Sequence, residues 1–161
     1  MDKLHISLYT DGDHCSGIER TKTTSGILMA IEGPNSFYPI SWASRRQTAT
    51  SPSTTEAETI SLASGVFSEG LPAQGLCDTL SCRPTLLACH QDNAAVLQII
   101  EAGYSPKLRR ASKTHRLDLG SLYEVFESPD ATIGYIATDK QRADPLTKNL
   151  SPCHWSHALS L

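Results

Sequence analysis

The sequence predicts an α/β fold, with a mixed five-stranded sheet (three antiparallel strands, then parallel strands) flanked by helices. Three observations predict it. Leu4, Ile6 and Leu8 alternate with His5, Ser7 and Tyr9, the period-2 pattern of a strand. Two more apolar runs follow, joined by turn residues, and such short connections make an antiparallel meander. Helical stretches then alternate with two further apolar runs, as crossover connections to parallel strands require.

The first strand runs Leu4–Asp13 and stops on Asp11-Gly12-Asp13, where Gly12 allows the chain to turn. Cys15–Ser25 is polar and reads as a loop. Gly26–Ile31 is the second strand, followed by the turn signal Glu32-Gly33-Pro34-Asn35-Ser36. Phe37–Ala43 is the third, and Pro39 confines it to an edge because proline cannot donate to a ladder. Ser53, Thr54 or Thr55 caps the first helix, with Glu56 and Glu58 in its first turn at the positive end of the helix dipole. Interior glycines cost roughly 1 kcal/mol each and proline about 3. Gly65, Gly70 and Pro72 therefore predict that this helix ends near Gly70 and breaks at Pro72, before a second piece over Ala73–Leu80. On the same argument Gly65→Ala stabilises the chain unless Gly65 packs closely on the sheet.

Thr85–Cys89 opens a fourth strand that closes on His90-Gln91-Asp92-Asn93. Ala94–Ala102 is a short helix ended by Gly103, Lys113–Glu127 another helix, and Ala131–Ala137 the fifth strand. Gln141–Lys148 starts a last helix, with Pro145 confined to its first turn. No repeat or linker divides residues 1–161, so one domain is expected, with 149–161 as a C-terminal tail.

The net charge of −3 argues against a generic nucleic-acid coat protein, but not against a nuclease whose clustered carboxylates are offset by cations. No apolar run approaches the roughly 20 residues of a membrane span, and the start lacks the apolar core of a signal peptide. The five cysteines, 15, 77, 82, 89 and 153, form no C-x-x-C and read as reduced thiols. Cys153, His154 and His157 make an incomplete zinc set, and no structural zinc is expected.

A crossover after the third strand brings the fourth beside the first, so Asp11 and Asp92 end neighbouring strands. A glutamate of the first helix and Asp144 of the last converge on the same edge. Four carboxylates at one point repel strongly unless cations are present. Hard divalent ions with oxygen ligands fit, Mg²⁺ above all, and a pair of them is the equipment of phosphodiester cleavage.

The segments Y-T-D-G-D (9–13), E-R-T-K-T-T-S-G (19–26), I-S-W-A-S-R-R-Q (40–47), S-T-T-E-A-E (53–58), H-Q-D-N-A-A-V (90–96), S-K-T-H-R-L-D (112–118) and R-A-D-P-L-T-K-N-L (142–150) together resemble the ribonuclease H domain of copia-type (pseudoviral) retrotransposon Pol polyproteins. The resemblance covers nearly the whole chain. It implies the ribonuclease H-like fold and hydrolysis of the RNA strand of RNA–DNA hybrids during reverse transcription, leaving 5′-phosphate and 3′-hydroxyl ends. It places the catalytic, metal-binding acids on Asp11, Glu58, Asp92 and Asp144, with two Mg²⁺ ions or Mn²⁺ in their place. Glu58 is preferred to Glu56 because Ala57-Glu58 falls on the family's catalytic pair; Glu56 is left as a dipole partner, Asp13 as a supporting or turn residue, and Asp118 and Asp139 as surface acids.

Gly12, Gln91 and Asn93 flank the acids and are candidates for reading the hybrid's 2′-hydroxyls. Lys107–Arg116 is the densest basic run, and Arg109, Arg110 and Lys113 are its expected phosphate contacts. Cellular relatives carry a histidine loop before the last helix; residues 136–141 hold none, and His115 is a candidate for its place or for a phosphate contact. The expected partners are an RNA–DNA hybrid and the reverse transcriptase and other domains of the same polyprotein, with no membrane. The expected compartment is the cytoplasm, in a virus-like particle, or the nucleus, not the secretory route. Two other functions compete: a catalytically idle tether of the same fold, and another nuclease of that fold such as an integrase or resolvase.

Overall fold

The computed structural model describes residues 4–14, 23–48, 51–109 and 111–148. The expected sheet is present. Strands β1 (His5–Asp13), β2 (Thr24–Gly33) and β3 (Ser36–Arg46) form the antiparallel meander, and β4 (Leu87–Gln91) and β5 (Ala131–Tyr135) run parallel to β1 in the order β3-β2-β1-β4-β5. β3 is an edge strand. Its pairing with β2 passes from Ser41 opposite Met29 to Pro39 opposite Ala30, so Ile40 bulges out next to the proline that cannot donate. β1 is central and buried from Ile6 to Gly12. Ile6, Leu8, Ile27, Met29, Leu87 and Cys89 meet helical residues in the main core, and burying each large aliphatic contributes about 1.5–3 kcal/mol.

Helix α1 (Thr54–Gly65) starts at Ser53, whose hydroxyl accepts from the amide of Glu56. The expected break at Pro72 is absent. A π-helical turn, Val66–Gly70, leads without interruption into α2 (Leu71–Ser81), and Gly65, Gly70 and Leu71 all keep right-handed helical dihedrals. Two facts override the propensity argument. Pro72 lies in the first turn of α2, where its missing N–H costs little, and both glycines face the sheet. A Cβ on Gly65 would lie 2.7 Å from Thr10 Cγ2, and one on Gly70 would lie 3.2 Å from Leu87. The glycines are there for close packing, so the exception attached to Gly65→Ala applies.

Helix α3 (Ala94–Ala102) matches expectation and ends at Gly103. The helix expected over Lys113–Glu127 is instead two, α4 (Ala111–Thr114) and α5 (Leu119–Glu127). Arg116 takes a left-handed φ of 54°, and Asp118 accepts from the amides of Gly120 and Ser121, starting α5 afresh. Asp118 is thus a helix cap as well as a surface acid, and the Ser121 hydroxyl, which donates to its Oδ2 at 2.8 Å, holds its carboxyl below the usual range together with these amides. The helix expected over Gln141–Lys148 is reduced, among the described residues, to a 3₁₀ turn at Asp144–Leu146, and β5 stops two residues short of Ala137.

Candidate active site

The four acids arrive from four separate segments. Asp11 sits near the end of β1, Glu58 in the first turns of α1, Asp92 directly after β4, and Asp144 at the 3₁₀ turn. Carboxylate oxygens of Asp11, Glu58 and Asp92 all lie within 4.8 Å of one another. The placement follows from local packing. Gly12 lies so close to α1 that a Cβ there would meet the Ala57 carbonyl at 2.6 Å, so only glycine lets β1 set Asp11 beside Glu58. Gln47 grips the same carbonyl with its side-chain amide at 2.8 Å, and Ser61 donates to the Asp11 carbonyl at 2.7 Å. Glu56 is also buried but is not among the converging carboxylates.

Asp144 is brought in by Gln141. β1 and β4 pair as far as Tyr9 and His90. Just there the fully buried Gln141 amide donates to the carbonyls of Thr10 (3.2 Å) and His90 (3.5 Å). Arg142 adds an ion pair to Glu32 and stacks over Phe37, 3.6 Å from its ring centre. Thr147 then donates to Asp11, and Lys148 donates to Asp144 Oδ2 at 2.6 Å.

Burial, together with the charges of Asp92 and Asp11, pushes the Glu58 carboxyl up to about 7, against the opposing hydrogen bonds from Asn93 and Gln91. Burial also raises Asp144, with Asp11 and Asp92 adding to the effect and Lys148 opposing it. One oxygen each of Asp92 and Asp144 is buried with no hydrogen-bond partner. Buried acceptors left without a donor cost free energy, and a donor set made only of carboxylate oxygens suits hard divalent cations. The residues present therefore fit a hard divalent cation: Asp11, Glu58 and Asp92 converge closely enough to share one, and Asp144, expected as the fourth, is not among the acids that meet within 4.8 Å.

No family model matches the sequence. The curated proteins it resembles include the retrovirus-related Pol polyproteins of the Arabidopsis thaliana transposons RE1 and RE2, each 27% identical over 154 residues, or 92% of this chain. The chain spans only 10% of their length. Among solved structures, LC11-RNase H1 from compost superimposes with a TM-score of 0.57 at 19% identity, covering 88% of this chain and 91% of that one. The Prototype Foamy Virus protease–reverse transcriptase gives 0.54 at 16% identity over 99% of this chain and 20% of its own. The N-terminal RNase H domain of a Mycobacterium tuberculosis protein gives 0.52 at 13% identity over 98% of both chains. The fold is that of ribonuclease H. In sequence the chain is similar to part of these retrovirus-related Pol polyproteins.

Within this ribonuclease H fold, the residues flanking the acids hold carboxylates in place. Gln91 is fully buried, donates to Glu58 Oε2 at 2.6 Å and accepts from Thr10, which removes it as a reader of substrate. Asn93 caps α3 through the Ala95 amide and turns its own amide to Glu58 Oε1 at 3.2 Å. Gly12 is buried against α1. Sequence reasoning missed the roles of Gln141, Thr147 and Lys148. The only signal is their position around Asp144 in Q-R-A-D-P-L-T-K, a stretch that reads as the start of a helix.

The basic stretch is pinned by Leu108, Ala111 and Leu117, which pack on Ile60 and Ala63 of α1 and leave Arg109 and Lys113 exposed. Arg110 lies outside the described residues, as do Cys15, Cys153, His154 and His157. His115 and Arg116 line a groove of about 520 Å³ together with Arg45, Arg46, Gln47 and Thr48 from the end of β3. His115 is not among the converging groups; burial pushes its imidazole below the ordinary value, and its Nε2 is buried without a partner. Among the described residues, no helix is long and apolar enough to cross a membrane.

Proposed function

We propose that this chain is a metal-dependent endonuclease that hydrolyses the RNA strand of RNA–DNA hybrids during reverse transcription of a retrotransposon. The observation that carries the proposal is the meeting of Asp11, Glu58 and Asp92 within 4.8 Å, with Asp144 electrostatically coupled to Asp11 and Asp92. Asp11, Glu58, Asp92 and Asp144 would hold two Mg²⁺ ions, or Mn²⁺, which activate a water and stabilise the leaving 3′-oxygen when bound. Gln91 and Asn93 keep Glu58 oriented toward the site, and Gln141 ties the Asp144 segment to β1 and β4. The groove's Arg46 and Arg116, and the exposed Arg109 and Lys113, supply positive charge for the phosphate backbones, and His115 lines the same groove.

A complex of LC11-RNase H1 with an RNA/DNA hybrid shows that ligand on a structure of the same fold, at a TM-score of 0.54. The Pol relatives support a setting inside a longer polyprotein, and the likeness to the foamy virus protease–reverse transcriptase supports a reverse transcriptase beside it. The test is cleavage of a labelled hybrid beside duplex DNA and duplex RNA, with Mg²⁺, with Mn²⁺ and with chelator. Metal-dependent cutting of the hybrid's RNA strand, giving 5′-phosphate ends and lost in Asp92→Asn, is the expected result. No hybrid cleavage by a folded, metal-supplied chain favours the idle tether, and cutting of duplex DNA instead favours another nuclease of this fold.

A further inference from the structure

Thr147 and Lys148 follow the 3₁₀ turn and place one donor each on the acid cluster. The Thr147 hydroxyl donates to Asp11 Oδ2 and the Lys148 ammonium to Asp144 Oδ2. Lys148 is the ion-pair partner of Asp144, and its charge also acts on Asp11 and Asp92. Arg142, the other cation of the same segment, is engaged with Glu32 away from the acids.

We propose that Lys148 is the resident counter-charge of the acid cluster, and that it competes with divalent metal for Asp144. This rests on the metal-site reading under the proposed function. Without metal, the ammonium offsets the repulsion among the four carboxylates and occupies Oδ2 of Asp144, while Oδ1 stays buried and unpartnered. A cation taking Oδ2 requires Lys148 to withdraw, and one taking Oδ1 brings two positive charges up to an ammonium. Withdrawal is cheap for this side chain. Lysine is a compact charge on a flexible stem, and this one is already 42% exposed. Lys148 is thus a positioning residue: it holds Asp144 in place before metal arrives and raises the metal concentration at which the site fills.

Two measurements on the whole chain test this. In chelator at low salt, melting of Lys148→Met, Asp144→Asn and the double variant forms a thermodynamic cycle. Lys148→Met should lower the melting temperature alone but not in the Asp144→Asn background; equal effects in both backgrounds overturn the counter-charge role. In Mn²⁺ titrations by calorimetry, Lys148→Met should bind about fivefold tighter, the scale of a partly exposed ion pair, and Lys148→Arg should match wild type. Unchanged or weaker Mn²⁺ binding in Lys148→Met overturns the competition. Wild-type protein that takes up no Mn²⁺ overturns the metal-site reading and the competition together, while the metal-free cycle still decides the counter-charge role.

Discussion

Gln91, the last residue of β4, donates a 2.6 Å hydrogen bond to Oε2 of Glu58, in the second turn of α1. A buried amide from the sheet therefore fixes the carboxylate that the helix presents. Gln91→Leu keeps the bulk and removes the donor. Loss of a group that orients a metal ligand typically costs 10–100-fold in affinity, so Mn²⁺ binding by calorimetry should weaken by about that factor while the far-ultraviolet spectrum is unchanged. Wild-type affinity in the variant would show that Asn93 alone orients Glu58.

The raised Glu58 carboxyl makes the metal-free chain sensitive to pH. Its folded value of about 7 lies above the ordinary 4.5. The folded state therefore binds this proton more tightly than the unfolded state does. The stabilisation is complete below about pH 4.5 and is lost as pH rises through about 7. Metal must displace the same proton, so the rise in melting temperature on adding Mg²⁺ should grow from pH 5 to pH 7.5. A pH-independent rise would mean that Glu58 is already ionised without metal.

Asp92→Asn should abolish cleavage without costing stability. Asp92 adds to the repulsion on Glu58, and one of its oxygens is buried without a partner. Removing that charge relieves the metal-free cluster, so melting in chelator should be unchanged or higher. A large drop would show that the carboxylate holds the fold together.

Two glycines of the long helix should respond in opposite directions. Gly65→Ala presses a methyl into Thr10, and such overpacking typically costs about 1–3 kcal/mol. Gly75→Ala meets nothing within 4 Å inside α2, where the helix propensity gain of up to about 1 kcal/mol is free to act. Thermal melts of the two variants make the comparison; stabilisation by Gly65→Ala would contradict close packing of α1 on Thr10.

Salt dependence reports on the groove. Neutralising Arg46 and Arg116, or Arg109 with Lys113, should lower the log–log slope of hybrid affinity against salt by about 0.7–0.9 for each phosphate that is no longer neutralised. A slope unchanged in both pairs would return these side chains to a solvated surface. Arg45 is a weaker choice because Glu69 already holds it at 2.8 Å.

The sheet was legible because its information is local. Alternation marked β1, Pro39 marked β3 as the edge, and the crossover order put β4 beside β1. The convergence of three acids followed from that topology. The helices were less legible. α1 buries Glu56, Ala57, Glu58, Thr59, Ser61 and Gly65, with Leu62 the only large apolar residue among its buried positions, so its buried face is mostly small or polar and carries little periodic signal. Its continuity depends on side chains of Leu8, Thr10 and Leu87 that are distant in sequence, which no propensity scale contains. The parts played by Gln91, Asn93, Gln141 and Lys148 depend on hydrogen bonds that only the folded chain brings together, most of them spanning many residues.

The π turn at Val66–Gly70 has a rotational consequence. In an unbroken α-helix, Gly70 would point about 80° away from Leu62, since eight residues at roughly 100° overshoot two full circles by that amount. A π turn absorbs about one extra residue and so takes back roughly that angle. Leu62, Val66, Gly70 and Gln74 all end up buried on the sheet side. The bulge works as a phase corrector, joining two helical segments whose sheet-facing stripes would otherwise be out of step. Straightening the turn to a regular α-helix at the same chain length would turn Gln74 by roughly 80–100°, away from the Thr85 and Asp130 carbonyls it bridges, whereas straightening with one residue deleted would keep it in place. Gln74's hold on those carbonyls is thereby tied to the angular setting of the helix that carries Glu58.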